Sequence, residues 1–225
     1  AFLQEKLATF TAKNPVSASL TEEAGRFQLE VIGKSAHGAS PASGINGVTY
    51  LANFLSQFAF AGPAKDYLAI AGQILHQDHF GQATGVAFED EKMGKLTMNA
   101  GVFSFDAASS DNRIALNFRF PQGTDEKKIQ AVLEGLEGVR EVSLSQHMHT
   151  PHYTPMEDEL VSTLLSVYEK QTGLKGHEQI IGGGTFGRLL KRGVAFGAMF
   201  PGYTDTMHQA NEFADVEDLY RAAAI

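Results

Sequence analysis

Two alternating segments lie side by side in this sequence: Lys95 to Phe105 and Arg113 to Phe120, joined by the polar stretch Ser109-Ser110-Asp111-Asn112. Alternation of apolar and polar residues gives a strand one buried and one open face, and a short polar connection makes neighbouring strands antiparallel. Helical periodicity flanks the pair. Upstream, Ile45, Val48, Leu51, Leu55 and Phe58 recur at helical spacing and predict an amphipathic helix over 44–58. Downstream, Thr124-Asp125-Glu126 opens a predicted helix reaching about Leu136, and Glu141 to His147 reads as a further strand. A strand pair set between helices restricts the chain to a mixed α/β architecture.

The remaining segments fill in the order. Residues 2–13 are predicted helical and end at Asn14-Pro15, because proline restricts the residue before it. Ser17 to Leu20 and Arg26 to Ile32 alternate around Glu22-Glu23-Ala24-Gly25, which predicts a hairpin. A helix over 64–76 and an irregular stretch to Met93 form a helical insertion at about 60–93. From Arg26 onward the order is β-α-(insertion)-β-β-α-β, the split βαββαβ, ferredoxin-like sandwich with two helices on one face of a sheet. Pro151 to Pro155 breaks the pattern, so residues 1–150 and 151–225 are expected to be separate domains. In the second, a helix over 157–172 ends at Gly173, Glu178 to Ile181 is a strand running into glycines, Gly184 to Arg192 is helical, Val194 to Met199 is a short strand, and a last helix begins near Asp215. This region is α/β in type but too small to close its own sheet.

Composition excludes several functions. A net charge of -8 with no basic run argues against a nucleic-acid surface. Zero cysteines leave no disulfide and no thiolate metal ligand, which fits a reducing, cytoplasmic setting. No apolar run approaches the roughly 18 residues of a membrane span, and no signal peptide opens the chain. It begins at Ala1 and stops at Ile225 inside an amphipathic segment, so a fragment of a longer protein is expected.

Four places carry candidate chemistry. His37 lies in Gly33-Lys34-Ser35-Ala36-His37-Gly38-Ala39-Ser40-Pro41, where a strand gives way to small residues before a helix. It is either a surface histidine in a turn or an imidazole that donates a hydrogen bond to a developing oxyanion. Arg119, in Asn117-Phe118-Arg119-Phe120-Pro121, is either a solvated strand-face arginine or a planar clamp for a carboxylate. Gly182-Gly183-Gly184-Thr185 is either turn geometry or a stretch of exposed backbone N–H groups at a helix start; it lacks the lysine and spacing of a phosphate loop. His208, among Asp205, Asn211 and Glu212, is either an exposed loop histidine or a metal ligand with polar support. His76-Gln77-Asp78 has the form of a two-metal motif but follows an amphipathic helix, not an apolar strand, and is rejected as one. His147, His149 and His152 have no carboxylate among them and read as exposed.

Taken in order, these elements resemble one family, the zinc-dependent aminoacylase/carboxypeptidase/dipeptidase metallopeptidases, and most closely the bacterial PepV-like dipeptidases. The residues that carry the resemblance are Ser35 to Pro41 with Gly44-Ile45-Asn46, Arg119 to Thr124, Gly182 to Thr185, Gly193 to Ala198, and Met207 to Glu212. The resemblance implies a lid domain up to about residue 150 and, beyond it, the C-terminal part of a two-zinc catalytic domain. It implies that His37 stabilises the tetrahedral intermediate, that Arg119 grips the C-terminal carboxylate of a dipeptide, that Gly183, Gly184 and Thr185 border the substrate pocket, and that His208 supplies one zinc ligand. The family's other ligands and its general base come from an N-terminal half with no counterpart here, so the chain alone is expected to be inactive and its natural partner to be that half. An N-acyl amino acid hydrolase or desuccinylase of the same family is the alternative activity. A non-catalytic ligand-binding or dimerisation module is the alternative class.

Overall fold

The computed structural model describes residues 2–109, 111–146, 148–197, 199–204, 206–207 and 211–225. The chain divides into two compact units, residues 1–149 and 150–225.

In the first unit, α1 (Phe2–Thr11) leads into a hairpin of β1 (Ser17–Glu23) and β2 (Arg26–Ile32), paired from Ser17–Ile32 to Glu23–Arg26. Ala24 and Gly25 both take positive φ at its turn, as a two-residue hairpin connection requires. α2 (Gly47–Leu55) follows, then α3 (Pro63–Ala69), which widens into a π-helical turn at Ile70–Ile74. Leu7 and Phe10 of α1, Val16, and Tyr50 and Phe54 of α2 form one core beneath the hairpin. The π turn lets Gly72 approach α2: a Cβ there would lie 2.4 Å from the Ala52 carbonyl carbon, and Asn53 Nδ2 donates to Gly72 O at 2.7 Å.

A two-residue ladder, β3 (Glu89–Asp90) with β4 (Gly94–Lys95), precedes the main ribbon of β5 (Thr97–Ser104) and β6 (Arg113–Arg119). Pairing runs from Thr97–Arg119 to Ser104–Arg113, with a bulge at Gly101 between Ala100–Leu116 and Val102–Ala115. Met98 and Ala100 bury with Leu75, Val86, Leu96 and, from α4 (Glu126–Glu134), Ile129 and Leu133. Fully burying each large apolar side chain contributes about 1.5–3 kcal/mol, so this second core anchors the ribbon on α4. No helix is long and apolar enough to cross a membrane among the described residues.

Three expected strands are absent among the described residues. Residues 141–146 form no ladder, and His147 lies outside the described residues. Val142 packs on the α4 core, but its carbonyl accepts from the Gln130 side chain at 2.7 Å instead of from a neighbouring strand. The described residues of 178–181 and 194–199 likewise pair with no strand. The described strands therefore make three separate two-stranded antiparallel sheets rather than one four-stranded sheet.

The second unit is built on α5 (Glu159–Thr172), capped by the Asp158 carboxylate on Leu160 N–H and closed by Gly173 at φ 69°. Arg192 grips the same carboxylate, Nε at 2.8 Å from both oxygens and Nη2 at 2.7 Å from Oδ1. That pairing holds the Asp158 carboxyl below its usual range. Phe200 is buried, stacked on Tyr168, with the Arg221 guanidinium of α6 (Val216–Ala224) 4.0 Å above its ring.

Candidate functional site

His37 sits on the loop that leaves β2, and the base of that loop is tightly closed. Lys34 N–H donates to Ile45 O at 2.9 Å and Ile45 N–H to Lys34 O at 2.8 Å. Only bare backbone fits there. A Cβ on Gly33 would lie 2.0 Å from Ile45 O, one on Gly44 2.8 Å from the Ala36 Cβ, and one on Gly47 2.8 Å from Val31 O. At the exposed tip, Ala39 N–H donates to His37 Nδ1 at 3.2 Å and Ser40 N–H to the His37 carbonyl at 2.8 Å. A neutral imidazole whose Nδ1 accepts a hydrogen bond carries its proton on Nε2, which is then a donor.

The residue after this base, Asn46, is engaged at both ends of its amide. Its Oδ1 accepts from Val48 N–H at 3.2 Å and Thr49 N–H at 3.3 Å, capping α2, while its Nδ2 donates to Ala100 O at 2.7 Å beside the Gly101 bulge. The sequence quotes Asn46 in a motif but gives no sign of this second bond, which spans 54 positions.

Arg119 ends β6 opposite Thr97. Because Met98 and Ala100 turn into the core, Thr97 and Asn99 lie on the other face of the ribbon, with Arg119 and Asn117 as their cross-strand partners. Four polar side chains thus share one face. Asparagine is a poor strand former, and a face that breaks local preference in this way is where function is expected. The Thr97 hydroxyl and Arg119 Nε are buried with no hydrogen-bond partner among the described residues. The loop of His37 reaches the same face: a Cβ on Gly38 would come 3.7 Å from Asn99 Nδ2. Asn99 and Thr97 are two residues apart, about 7 Å along a strand, so the fold brings the His37 loop and the Arg119 position to one region. Asn99 and Asn117 escaped the sequence reading, although their alternation with Met98, Ala100, Leu116 and Phe118 was a usable signal.

In the second unit the glycine run is followed by one 3₁₀ turn, Phe186–Leu189, not by the expected helix over 184–192. Gly187 and Gly193 pack backbone on backbone there, and a Cβ on Gly193 would lie 2.5 Å from Gly187 O; Leu190 leaves the turn in extended backbone. Thr185 caps this turn without a side-chain hydrogen bond, and a single turn aligns too few peptide dipoles to attract an anion. The positive charge comes instead from Arg188, whose Nη1 would be 2.1 Å from a Cβ on Gly184. Gly183 is open: apart from its chain neighbours, no atom of the described residues lies within 4 Å of its Cβ position.

His208 lies outside the described residues. Among the described residues no three His, Asp or Glu side chains converge to hold a metal ion, so they do not by themselves fit a metal centre. Asp78 of the H-x-D sequence is occupied structurally: its carboxylate accepts from Gln82 N–H at 2.7 Å, Thr84 N–H at 2.9 Å and the Thr84 hydroxyl at 3.0 Å.

A model of peptidase family M20/M25/M40 matches residues 13–225. The chain belongs to this family. The Beta-Ala-Xaa dipeptidase of Lactobacillus delbrueckii subsp. lactis is 40% identical over 218 residues, which cover 96% of this chain and 46% of that protein. A Staphylococcus epidermidis protein named "Putative dipeptidase" is 34% identical over 224 residues, covering 98% of this chain and 47% of its own length. This M20-family chain therefore spans about half the length of the curated relatives it matches.

Proposed function

We propose that this chain is the C-terminal half of a metallodipeptidase that hydrolyses dipeptides with a free C-terminal carboxylate in the cytoplasm. The observation that carries the proposal is the shared location of the His37 loop and the Arg119 face, with His37 Nδ1 engaged by Ala39 N–H. His37 then presents Nε2–H to the oxyanion formed when water attacks the scissile carbonyl, and Arg119 holds the carboxylate one residue away. The dipeptidase names of the relatives support this choice over N-acyl amino acid hydrolysis or desuccinylation.

The first unit acts as the lid, and its β1–β2 and β5–β6 hairpins are the strands that the family's split βαββαβ arrangement would join in one sheet. Residues from about 151 belong to the catalytic domain, with Gly183, Gly184 and Thr185 beside the substrate. Two zinc ions are the proposed metals; their ligands other than His208, and the base that deprotonates water, belong to the N-terminal half. Unpartnered apolar surface supports that missing half: Phe186 is 89% and Leu189 72% exposed, and neither α5 nor α6 buries a residue.

Assays of the intact protein on dipeptides, N-acyl amino acids and N-succinyl amino acids test the reading. Dipeptide turnover is expected to dominate, and His37→Ala to lower kcat by about 100- to 1,000-fold. Unchanged turnover in His37→Ala, or preference for acyl substrates, overturns it. The 225-residue chain alone is expected to show no turnover.

A further inference from the structure

Asn46 joins two parts of the site that the local chain does not join. One end of its amide caps the start of α2, directly after the base of the His37 loop; the other donates to Ala100 O, on the strand whose first residue pairs with Arg119. Ladder pairing fixes β5 to β6, and the Lys34–Ile45 bridge fixes the loop to Asn46. The amide sits at the one place where β5 bulges, and a bulge frees backbone groups from the ladder and re-aims the side chains beyond it.

We propose that Asn46 is a positioning residue that sets the separation between the oxyanion donor His37 and the carboxylate clamp Arg119, and so the length of peptide the enzyme accepts. The inference rests on the dipeptidase reading above. Its chemistry requires an amide: one acceptor for the α2 N–H groups and one donor for a carbonyl. Aspartate copies the acceptor and is an equally good helix cap, but it replaces the donor with an oxygen facing Ala100 O. The two duties of the side chain can therefore be separated by one substitution.

The experiment is Asn46→Asp in the intact enzyme, beside His37→Ala and Arg119→Ala. If Asn46 only capped the helix, Asn46→Asp would keep wild-type kcat and peptide-length preference. If it positions His37 against Arg119, the variant unfolds cooperatively like wild type but loses about tenfold in kcat for a dipeptide, and its preference for dipeptide over tripeptide narrows severalfold. Amide exchange in the intact protein gives a readout without activity: Lys34 and Ile45 N–H should exchange faster in Asn46→Asp, while β1–β2 amides remain as in wild type. Wild-type kcat, length preference and exchange in Asn46→Asp, together with a large loss in His37→Ala, overturn the inference and leave the dipeptidase reading standing. Full activity in both His37→Ala and Arg119→Ala overturns the dipeptidase reading, and the positioning role falls with it.

Discussion

Thr97 and Arg119 face each other across the β5–β6 ladder, and the hydroxyl of one and the Nε of the other are both buried without a hydrogen-bond partner among the described residues. Unsatisfied buried polar atoms cost about 1–3 kcal/mol each, so a pair of them on one polar face marks a position kept for something other than stability. The proposed occupant is a carboxylate held by the guanidinium. In the intact enzyme Arg119→Ala should raise KM for dipeptides at least tenfold with kcat less affected, and Arg119→Lys should recover only part of the loss, because an ammonium cannot form the bidentate pair. A substrate amidated at its C-terminus should show no difference between wild type and variant. Equal KM values for the free dipeptide would refute the clamp.

The base of the His37 loop makes a stability prediction. Gly33 meets Ile45 backbone at a distance no side chain tolerates, so Gly33→Ala must part the Lys34–Ile45 bridge. A loss of about 1–3 kcal/mol is expected in urea unfolding of the chain. Gly25→Ala is a useful contrast: its Cβ meets nothing, and its cost comes from the φ of 75° alone.

Asp78 predicts a second stability effect. Asp78→Ala strands the buried Thr84 N–H and hydroxyl and removes the partner of the part-buried Gln82 N–H, at a cost of about 1–3 kcal/mol. Asp78→Asn should cost less, since its carbonyl oxygen still accepts. If Asp78 were instead a metal ligand, both variants would leave the melting temperature of the metal-free chain unchanged.

His76 makes the fold sensitive to acid. Its ring stands edge-on to Tyr50 with centroids 4.5 Å apart, and Nδ1 lies 3.4 Å from the Thr49 hydroxyl. Burial, with a smaller contribution from nearby His79, lowers its pKa below the ordinary 6.5. Burial lowers that of His79 too, against the opposing charge of Asp78. The folded state thus favours the neutral rings, and the unfolded chain binds more protons as pH falls. Stability from this source is complete above about pH 6.5 and declines as pH drops toward the folded values. Melting temperatures between pH 7.5 and 5.5 should fall, and the slope should flatten in a His76→Gln, His79→Gln double variant.

Elements whose partners lie nearby in sequence were legible. The hairpin needed only Arg26 to Ile32 to find Ser17 to Glu23, and β5–β6 needed one turn. Helix α2 is expected over 44–58 and spans Gly47–Leu55, its start set by the Asn46 side chain that caps it. The described residues of the strands expected at 141–147, 178–181 and 194–199 form no ladder, for another reason. Alternation records a face, but a strand exists only where a neighbour offers its ladder; Val142 O is instead taken by Gln130. At the site, His37 and Arg119 were visible as residue types in suggestive settings. Asn46 was visible only as part of a motif; its bond to Ala100 O, like the approach of Arg188 to Gly184, is a contact that spacing does not encode.

The bridge between Lys34 and Ile45 also bears on how such a site diversifies. Two backbone hydrogen bonds, with Gly44 packed on Ala36, hold the ends of the 35–44 segment together around its tip. The entropy of closing a longer segment rises only slowly with its length. Residues 38–43, beyond His37, can therefore vary in length without redesigning the hairpin or α2. New acyl-group or peptide selectivities can arise there by insertion while the scaffold stays unchanged.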